Sequence, residues 1–327
     1  MRAVRFHRFG RPEEVLQLDD LPAPEPSPGQ VRVRLTHRPI NPADLLVVRG
    51  RYGTLPDLPA AGGAEGVGVV EALGEGVEGL AVGQRVVPLA AGPTWQEGLL
   101  ARPDDLLPVP DGVPDESAAQ LFVNPLTAWL LLAAVPGLRK GDTIMQTAGA
   151  SAVGRLVTAL AQRRGLGVVS VVRSEASAER VRAQGTDAIV LDGTGEGARE
   201  ALRRTAGAAG AQAAFDGVAG PAGGLLFDAL ADGGVFVNYG RLSGQPLPVP
   251  PEALIYKQAT VRGVWRTRWF AETPRAEARK ALDELAALAA EGALPLPVEA
   301  TYDLAAAKAA AAHAIRPGRE GKILLVG

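Results

Sequence analysis

The stretch TIMQTAGASAVGRLVTALAQRRGLGVVSVVRS, residues 143–174, reads as strand, tight turn, helix and strand. Residues 143–145 are an apolar run of strand length. Val153, Leu156, Val157, Leu160 and Ala161 then recur at i, i+3, i+4, i+7 and i+8, which places them on one face of a helix. Arg163 and Arg164 fall in its last turn, where cations complement the negative end of the helix dipole, and Gly165 suits the left-handed residue that ends it. Residues 168–172 are a valine-rich run, as a strand buried on both faces of a parallel sheet requires.

Between the first strand and the helix lies Gly149-Ala150-Ser151-Ala152-Val153-Gly154. Small residues there let a phosphate approach the unpaired N–H groups and the positive dipole end of the helix. The dinucleotide fingerprint is G-x-G-x-x-G, and Ser151 stands at its middle glycine. Small residues also serve tight packing, so the context carries the reading: a strand before, a helix after, and a second strand that ends about 20 residues on. An NAD site places an acidic residue at that end for the ribose 2′-hydroxyl. Arg173-Ser174 stand there instead, which suits a 2′-phosphate and therefore NADPH. The competing reading of Arg173 is a solvated side chain at a strand end.

A length of 327 residues allows two domains with substantial cores. A net charge of −2 gives no global attraction to nucleic acid or to an anionic membrane, so an anionic ligand must be held by local groups. Cysteine is absent, which removes disulfides, thiol nucleophiles and cysteine-based zinc sites together. His7, His37 and His313 lie too far apart for a metal-ligand spacing. The opening MRAVRFHRFG lacks the apolar core of a signal peptide, and no run of about 18 apolar residues occurs. A cytoplasmic protein with no membrane partner is expected.

Along the chain, residues 31–35 alternate apolar and polar as a half-buried strand does, and Asn41-Pro42 marks a helix start. Gly50-Arg51-Tyr52-Gly53 is a loop, and the first third reads as short β structure with glycine turns. Residues 114–134 look helical. Beyond the central stretch, strands at 188–191, 213–216, 234–238 and 260–264 and helices at 198–205 and 225–230 continue a doubly wound parallel sheet. Thr273-Pro274 caps a helix that stops at Gly292, and a helix at 304–315 and a strand at 322–326 close the chain. These last pieces do not extend the alternation. The expected organisation is therefore a β-rich domain from residues 1–118 and 265–327, with a nucleotide domain, residues 119–264, inserted into it.

The whole pattern resembles the medium-chain dehydrogenase/reductase superfamily over essentially its full length. That resemblance implies an α/β fold, a Rossmann doubly wound parallel sheet inserted into a β-rich GroES-like catalytic domain. Zinc-dependent members carry a ligand cysteine where this chain has Asn41 and a ligand histidine where it has Ala64, so the resemblance implies a zinc-independent branch. Asn41-Pro42-Ala43-Asp44, Gly50-Arg51-Tyr52, Leu58 through Gly68, Thr94-Trp95, Val123 through Ala128, Val171-Val172-Arg173, Tyr239-Gly240, Leu254 through Lys257 and Arg262 through Trp265 are similar to the mitochondrial-type trans-2-enoyl-CoA/ACP reductases.

Reduction of an enoyl thioester needs hydride at the β-carbon and a proton at the α-carbon, so the protein must supply orientation and a proton donor. The family's catalytic tyrosine falls at Tyr52, and a phenol is protonated at neutral pH; a loop tyrosine packing its ring is the alternative. Asn41 serves either the nicotinamide end or the turn before Pro42. The resemblance places cofactor contacts at Asn124 and Thr127, where helix capping is the competing role. Tyr239-Gly240 follows a sheet strand, at the edge where ligands bind. With Gly149, Ser151, Ala152, Val153, Gly154, Arg173 and Ser174, these form the expected cofactor set. Trp265 either walls an acyl pocket or fills core. Lys322 reaches the cofactor phosphates or is a solvated lysine. Two rival functions stand beside enoyl-thioester reduction, an NADPH:quinone oxidoreductase and a catalytically silent NADPH-binding protein. The edge strand at 260–264 invites pairing with a second copy, so a homodimer is expected.

Overall fold

In the computed structural model, which describes residues 1–191 and 196–327, the two strands of the opening stretch lie side by side in parallel, with Val168 opposite Ile144. They belong to a six-stranded sheet ordered Asp187–Val190, Gly167–Val172, Thr143–Thr147, Ala211–Asp216, Leu230–Asn238, Thr260–Gly263, every neighbouring pair parallel. The chain runs outward in one direction from Thr143–Thr147 and then returns to its other side at Ala211–Asp216. Such a reversal opens a crevice beyond the carboxyl ends of the strands, the usual place for a ligand.

The helix Ala152–Arg163 buries Leu156, Val157, Leu160 and Ala161, the face its periodicity predicts, while Val153 at its start is half-buried. Gly165 has φ 71°, as a left-handed helix end requires. Met145, Val169, Val171, Leu202 and Phe236 share a core in which the Phe227 and Phe236 rings stack at 4.2 Å. Around this sheet the structure gathers Asn124–Ala278 into one compact unit. It therefore extends past the 119–264 expected and takes in the helix Arg266–Glu272. Within the added segment Trp269 lies 6.0 Å from Trp129 of the helix Asn124–Ala133, and Arg275 lies 5.2 Å over the Phe270 ring.

The other unit joins Met1–Val123 to Arg279–Gly327. Its larger sheet runs Val298–Asp303, Lys322–Val326, Val31–Pro39, Val67–Leu73, Arg85–Pro88, Leu106–Pro108, with Gly98–Ala101 also paired to Val31–Pro39. Leu16–Asp20, Arg2–Phe6 and Ala60–Ala61 form a small second sheet. Trp95 is fully buried and explains the glycine-rich run before Glu65: a Cβ on Gly63 would stand 2.3 Å from Trp95 Cδ1.

Several elements differ from the sequence reading. Residues 114–134 form two helices, Asp115–Ala118 and Asn124–Ala133, because Pro125 suits a helix start and not an interior. Residues 225–230 divide between the end of Gly220–Leu225, a 3₁₀ turn at Leu226–Ala229 and the first residue of the next strand. Arg2–Phe6, Glu175–Arg182 and Val298–Asp303 have no counterpart among the expected elements.

Candidate active site

In the nucleotide unit the turn after Thr143–Thr147 is shaped by close approach. Ala148 has φ 52°, a left-handed value that costs a residue with a Cβ about 1–2 kcal/mol. A Cβ on Gly149 would stand 2.3 Å from Ser170 Cβ on the adjacent strand, and one on Gly154 would stand 2.5 Å from the Gly149 carbonyl. Ser151 is the N-cap of the helix, its hydroxyl accepting from the Gly154 N–H at 3.1 Å. The Ala152 and Val153 N–H groups, the next two along, have no acceptor among the described residues. Two open donors at a positive helix end, on a turn kept bare by glycine, fit a dinucleotide pyrophosphate.

Arg173 and Ser174 are both exposed where Gly167–Val172 ends. Ser174 caps the helix Glu175–Arg182 by accepting from the Ser177 N–H at 3.3 Å, and Arg180 donates to Ser177 Oγ at 3.0 Å. Glu175, the acid nearest in sequence, pairs with Arg182, and no carboxylate pairs with Arg173 among the described residues. This corner offers cations and hydroxyls to an anion.

Along the same carboxyl edge, Asp216 is fully buried and organises three strand ends. It accepts from Thr147 Oγ1 at 2.7 Å, from the Val218 N–H at 2.9 Å, from the Ala219 N–H at 3.0 Å and from Asn238 Nδ2 at 3.0 Å. The Tyr239 N–H donates to the Asp216 carbonyl at 2.9 Å, and burial, with the nearby Asp216 charge, pushes the Tyr239 phenol up. Gly240 is required sterically, since a Cβ there would stand 2.7 Å from the Gly217 carbonyl. Asn124 is the buried first residue of its helix, and Thr127 is half-buried one turn later. Trp265 precedes the helix Arg266–Glu272 with 40% of its surface exposed, which removes the core reading. At the opposite end of the sheet a groove of about 1030 Å³ includes Arg203 and Lys257. Arg203 faces Glu196 and Asp228, and Lys257 donates to three carbonyls, so these two cations are already engaged.

In the other unit Asn41 is the N-cap of the helix Pro42–Val48, and its N–H donates to Asp44 Oδ2 at 2.7 Å. Its side chain faces inward. Nδ2 donates to Glu65 Oε1 at 2.7 Å, and Oδ1 accepts from Lys322 Nζ. The solvated reading of Lys322 is therefore corrected: Lys322 is buried, held by an amide from the other end of the chain. Tyr52 lies half-buried in the loop after the helix. Among the described residues no group of three or more His, Cys, Asp or Glu could hold a metal ion, and no helix is long and apolar enough to cross a membrane.

Sequence reasoning missed Glu65 and Asp216. Both carry a signal, an acid enclosed by small and apolar residues in GGAEGVGVV and AAFDGV. An acid in such a run is buried only where donors await it.

Comparison with known proteins joins these features. Family models match twice, an alcohol dehydrogenase GroES-like domain over residues 27–110 and a zinc-binding dehydrogenase domain over 152–287. The chain is 36% identical over 310 residues to the mitochondrial enoyl-[acyl-carrier-protein] reductase of Xenopus tropicalis, covering 90% of this chain and 87% of that one. Among solved structures, one described as an NADPH:quinone reductase from Bacillus thuringiensis superposes with a TM-score of 0.93 at 31% identity, covering 100% and 98% of the two chains. A mycobacterial protein solved in complex with NADPH gives 0.88 at 28% identity, with 100% of both chains covered.

The packing at the turn predicts a paired outcome. Gly149→Ala should weaken NADPH binding about tenfold or more, measured by fluorescence titration, because the new methyl meets Ser170. Adding Ser170→Gly should recover part of that loss; no recovery would show that the turn tolerates the methyl by another route.

Proposed function

Since the chain belongs to the medium-chain dehydrogenase/reductase superfamily, in the branch of the mitochondrial-type enoyl-thioester reductases, we propose that it reduces the C=C bond of trans-2-enoyl thioesters, of CoA or acyl-carrier protein, with NADPH. The near full-length likeness to an enoyl-[acyl-carrier-protein] reductase carries the reading. The turn and the basic corner described above support the choice of NADPH.

When bound, the dihydronicotinamide supplies the hydride. The Ala152 and Val153 N–H groups would hold the pyrophosphate at the helix start. Arg173 would pair with the 2′-phosphate, aided by Ser174, and Asn124, Thr127, Tyr239 and Gly240 would hold the rest of the cofactor. Tyr52 gives its phenol proton to the α-carbon as the β-carbon is reduced. A phenol suits this step because it stays protonated at neutral pH and yields a proton only to a strongly basic carbon. Trp265, with its exposed indole, is the candidate wall for the acyl chain. The relatives' mitochondrial names describe those proteins.

Reduction of a quinone is the second reading, favoured by the 31% identical structure. A quinone takes its protons on exposed oxygens, so Tyr52 would have no chemical role. A homodimer completes the proposal: Thr260–Gly263 is the edge of the parallel sheet, all four residues are exposed, and an uncovered strand edge invites a second copy.

The deciding assay follows NADPH oxidation with crotonyl-CoA and with a simple quinone. Crotonyl-CoA turnover is expected, and Tyr52→Phe should cut it about 100-fold while leaving NADPH affinity unchanged. Turnover of quinone alone, or an undiminished variant, would move the chain to the quinone-reductase reading. Arg173→Ala should weaken NADPH about tenfold more than NADH; equal losses would remove Arg173 from recognition of the 2′-phosphate. Val261→Pro, which bars ladder pairing at the edge, should shift the protein from dimer to monomer in light scattering. An unchanged mass would place the interface elsewhere.

A further inference from the structure

The Glu65 carboxylate is fully buried, and a buried charge persists only where donors replace its water. Its two oxygens serve different segments. Oε1 accepts from Asn41 Nδ2 and Oε2 from the Val123 N–H, each at 2.7 Å. The backbone beneath it is pinned as well, by Thr94 Oγ1 donating to the Glu65 carbonyl at 2.7 Å. Lys322 Nζ donates to the far side of the same Asn41 amide. A lysine only donates and a carboxylate only accepts, so the Asn41 amide has a single permitted orientation between them.

Each anchored segment runs on to a residue of the expected set. Asn41 opens the helix Pro42–Val48, and the turns that end it, with the Arg49 N–H on the Leu45 carbonyl at 3.1 Å and the Arg51 N–H on the Leu46 carbonyl at 2.9 Å, deliver the chain to Tyr52. Val123 immediately precedes Asn124.

We propose that Glu65 is a positioning residue for this reaction: through Asn41 and the short helix it opens, the carboxylate sets where the Tyr52 phenol stands when the proton is delivered. This rests on the reading of Tyr52 as the proton donor. A glutamine at this position keeps the size but offers a single acceptor oxygen, so it satisfies Asn41 or Val123 and not both. The helix start then loosens, and proton transfer slows more than hydride transfer does.

The test compares the full-length wild type with Glu65→Gln for reduction of crotonyl-CoA by NADPH, in H₂O and in D₂O. The expected result is a fall in kcat of about tenfold or more, with a solvent isotope effect larger than that of the wild type. A side chain that only stabilises the fold would lower the amount of active enzyme and leave the isotope effect untouched; a reduced kcat with an unchanged isotope effect overturns the proposal. Glu65→Asp, which keeps the charge and is one methylene shorter, carries the same measurement if Glu65→Gln fails to fold. No crotonyl-CoA turnover by the wild type would overturn the enoyl-thioester reading and this role with it. Wild-type turnover with unaltered isotope effects in both variants would overturn the positioning role alone.

Discussion

Removing a carboxylate from water costs several kcal/mol unless fixed donors take over its hydration, and among the described residues two are buried completely, Glu65 in one unit and Asp216 in the other. Each accepts from the backbone of an irregular segment and from one asparagine amide, and Asp216 accepts from Thr147 Oγ1 as well. Asp216 takes the Val218 and Ala219 N–H groups and Asn238 Nδ2; Glu65 takes the Val123 N–H and Asn41 Nδ2. Because a backbone N–H cannot leave a buried acceptor cheaply, the acids hold the segments around them in place. The loop Gly217-Val218-Ala219-Gly220 shows the consequence. Ala219 holds φ 58°, an unfavourable value for alanine, which persists because its N–H reaches both Asp216 oxygens.

The turn after Thr143–Thr147 works under a different constraint, the absence of atoms. Gly149 and Gly154 are bare because Ser170 and the turn's own backbone occupy the space a Cβ would need. At the middle position a side chain is tolerated because the Ser151 hydroxyl folds back onto the Gly154 N–H. The serine consumes one helix-start donor and leaves the two before it available. Gln146 closes the turn from below, its Nε2 donating to the Gly154 carbonyl, Thr158 Oγ1 and Ser170 Oγ. The turn thus keeps its helix-start donors oriented although Ser151 stands at the position of the fingerprint's central glycine.

The parallel sheet was legible in the sequence because its strands are buried on both faces and read as apolar runs, and because the helix between the first two repeats every 3.6 residues. Strands with one wet face were not. Arg2–Phe6 and Val298–Asp303 carry arginine and acids among their apolar residues and show no run of apolar length. The helix Glu175–Arg182 was hidden for a similar reason, since only Ala178 and Val181 are buried. Of the candidate site, the residues within one βα turn were readable: Gly149, Ser151, Gly154, Arg173 and Ser174 occupy positions that local geometry fixes. Glu65 and Asp216 are marked locally only as acids in small and apolar surroundings; Asn41 and Val123 for Glu65, Thr147 and Asn238 for Asp216, and Asn41 for Lys322 lie far along the chain.

The placement of Lys322 follows from sheet register. Lys322–Val326 runs antiparallel to Val31–Pro39, with Leu324 opposite Pro39, and the Ile40 N–H continues the ladder to the Ile323 carbonyl at 3.0 Å. Counting one step further in each direction sets Lys322 against Asn41, where the ammonium meets the amide. A slip of one residue would turn Lys322 to the opposite face and bring Ile323 toward Glu65. The buried cation, the amide and the buried anion are therefore products of one pairing between strands from the two ends of the chain. Ile323, Leu324 and Leu325 are wholly buried beside it and anchor the strand in the core, and the alignment carries the charge on Lys322 to the helix start that leads to Tyr52.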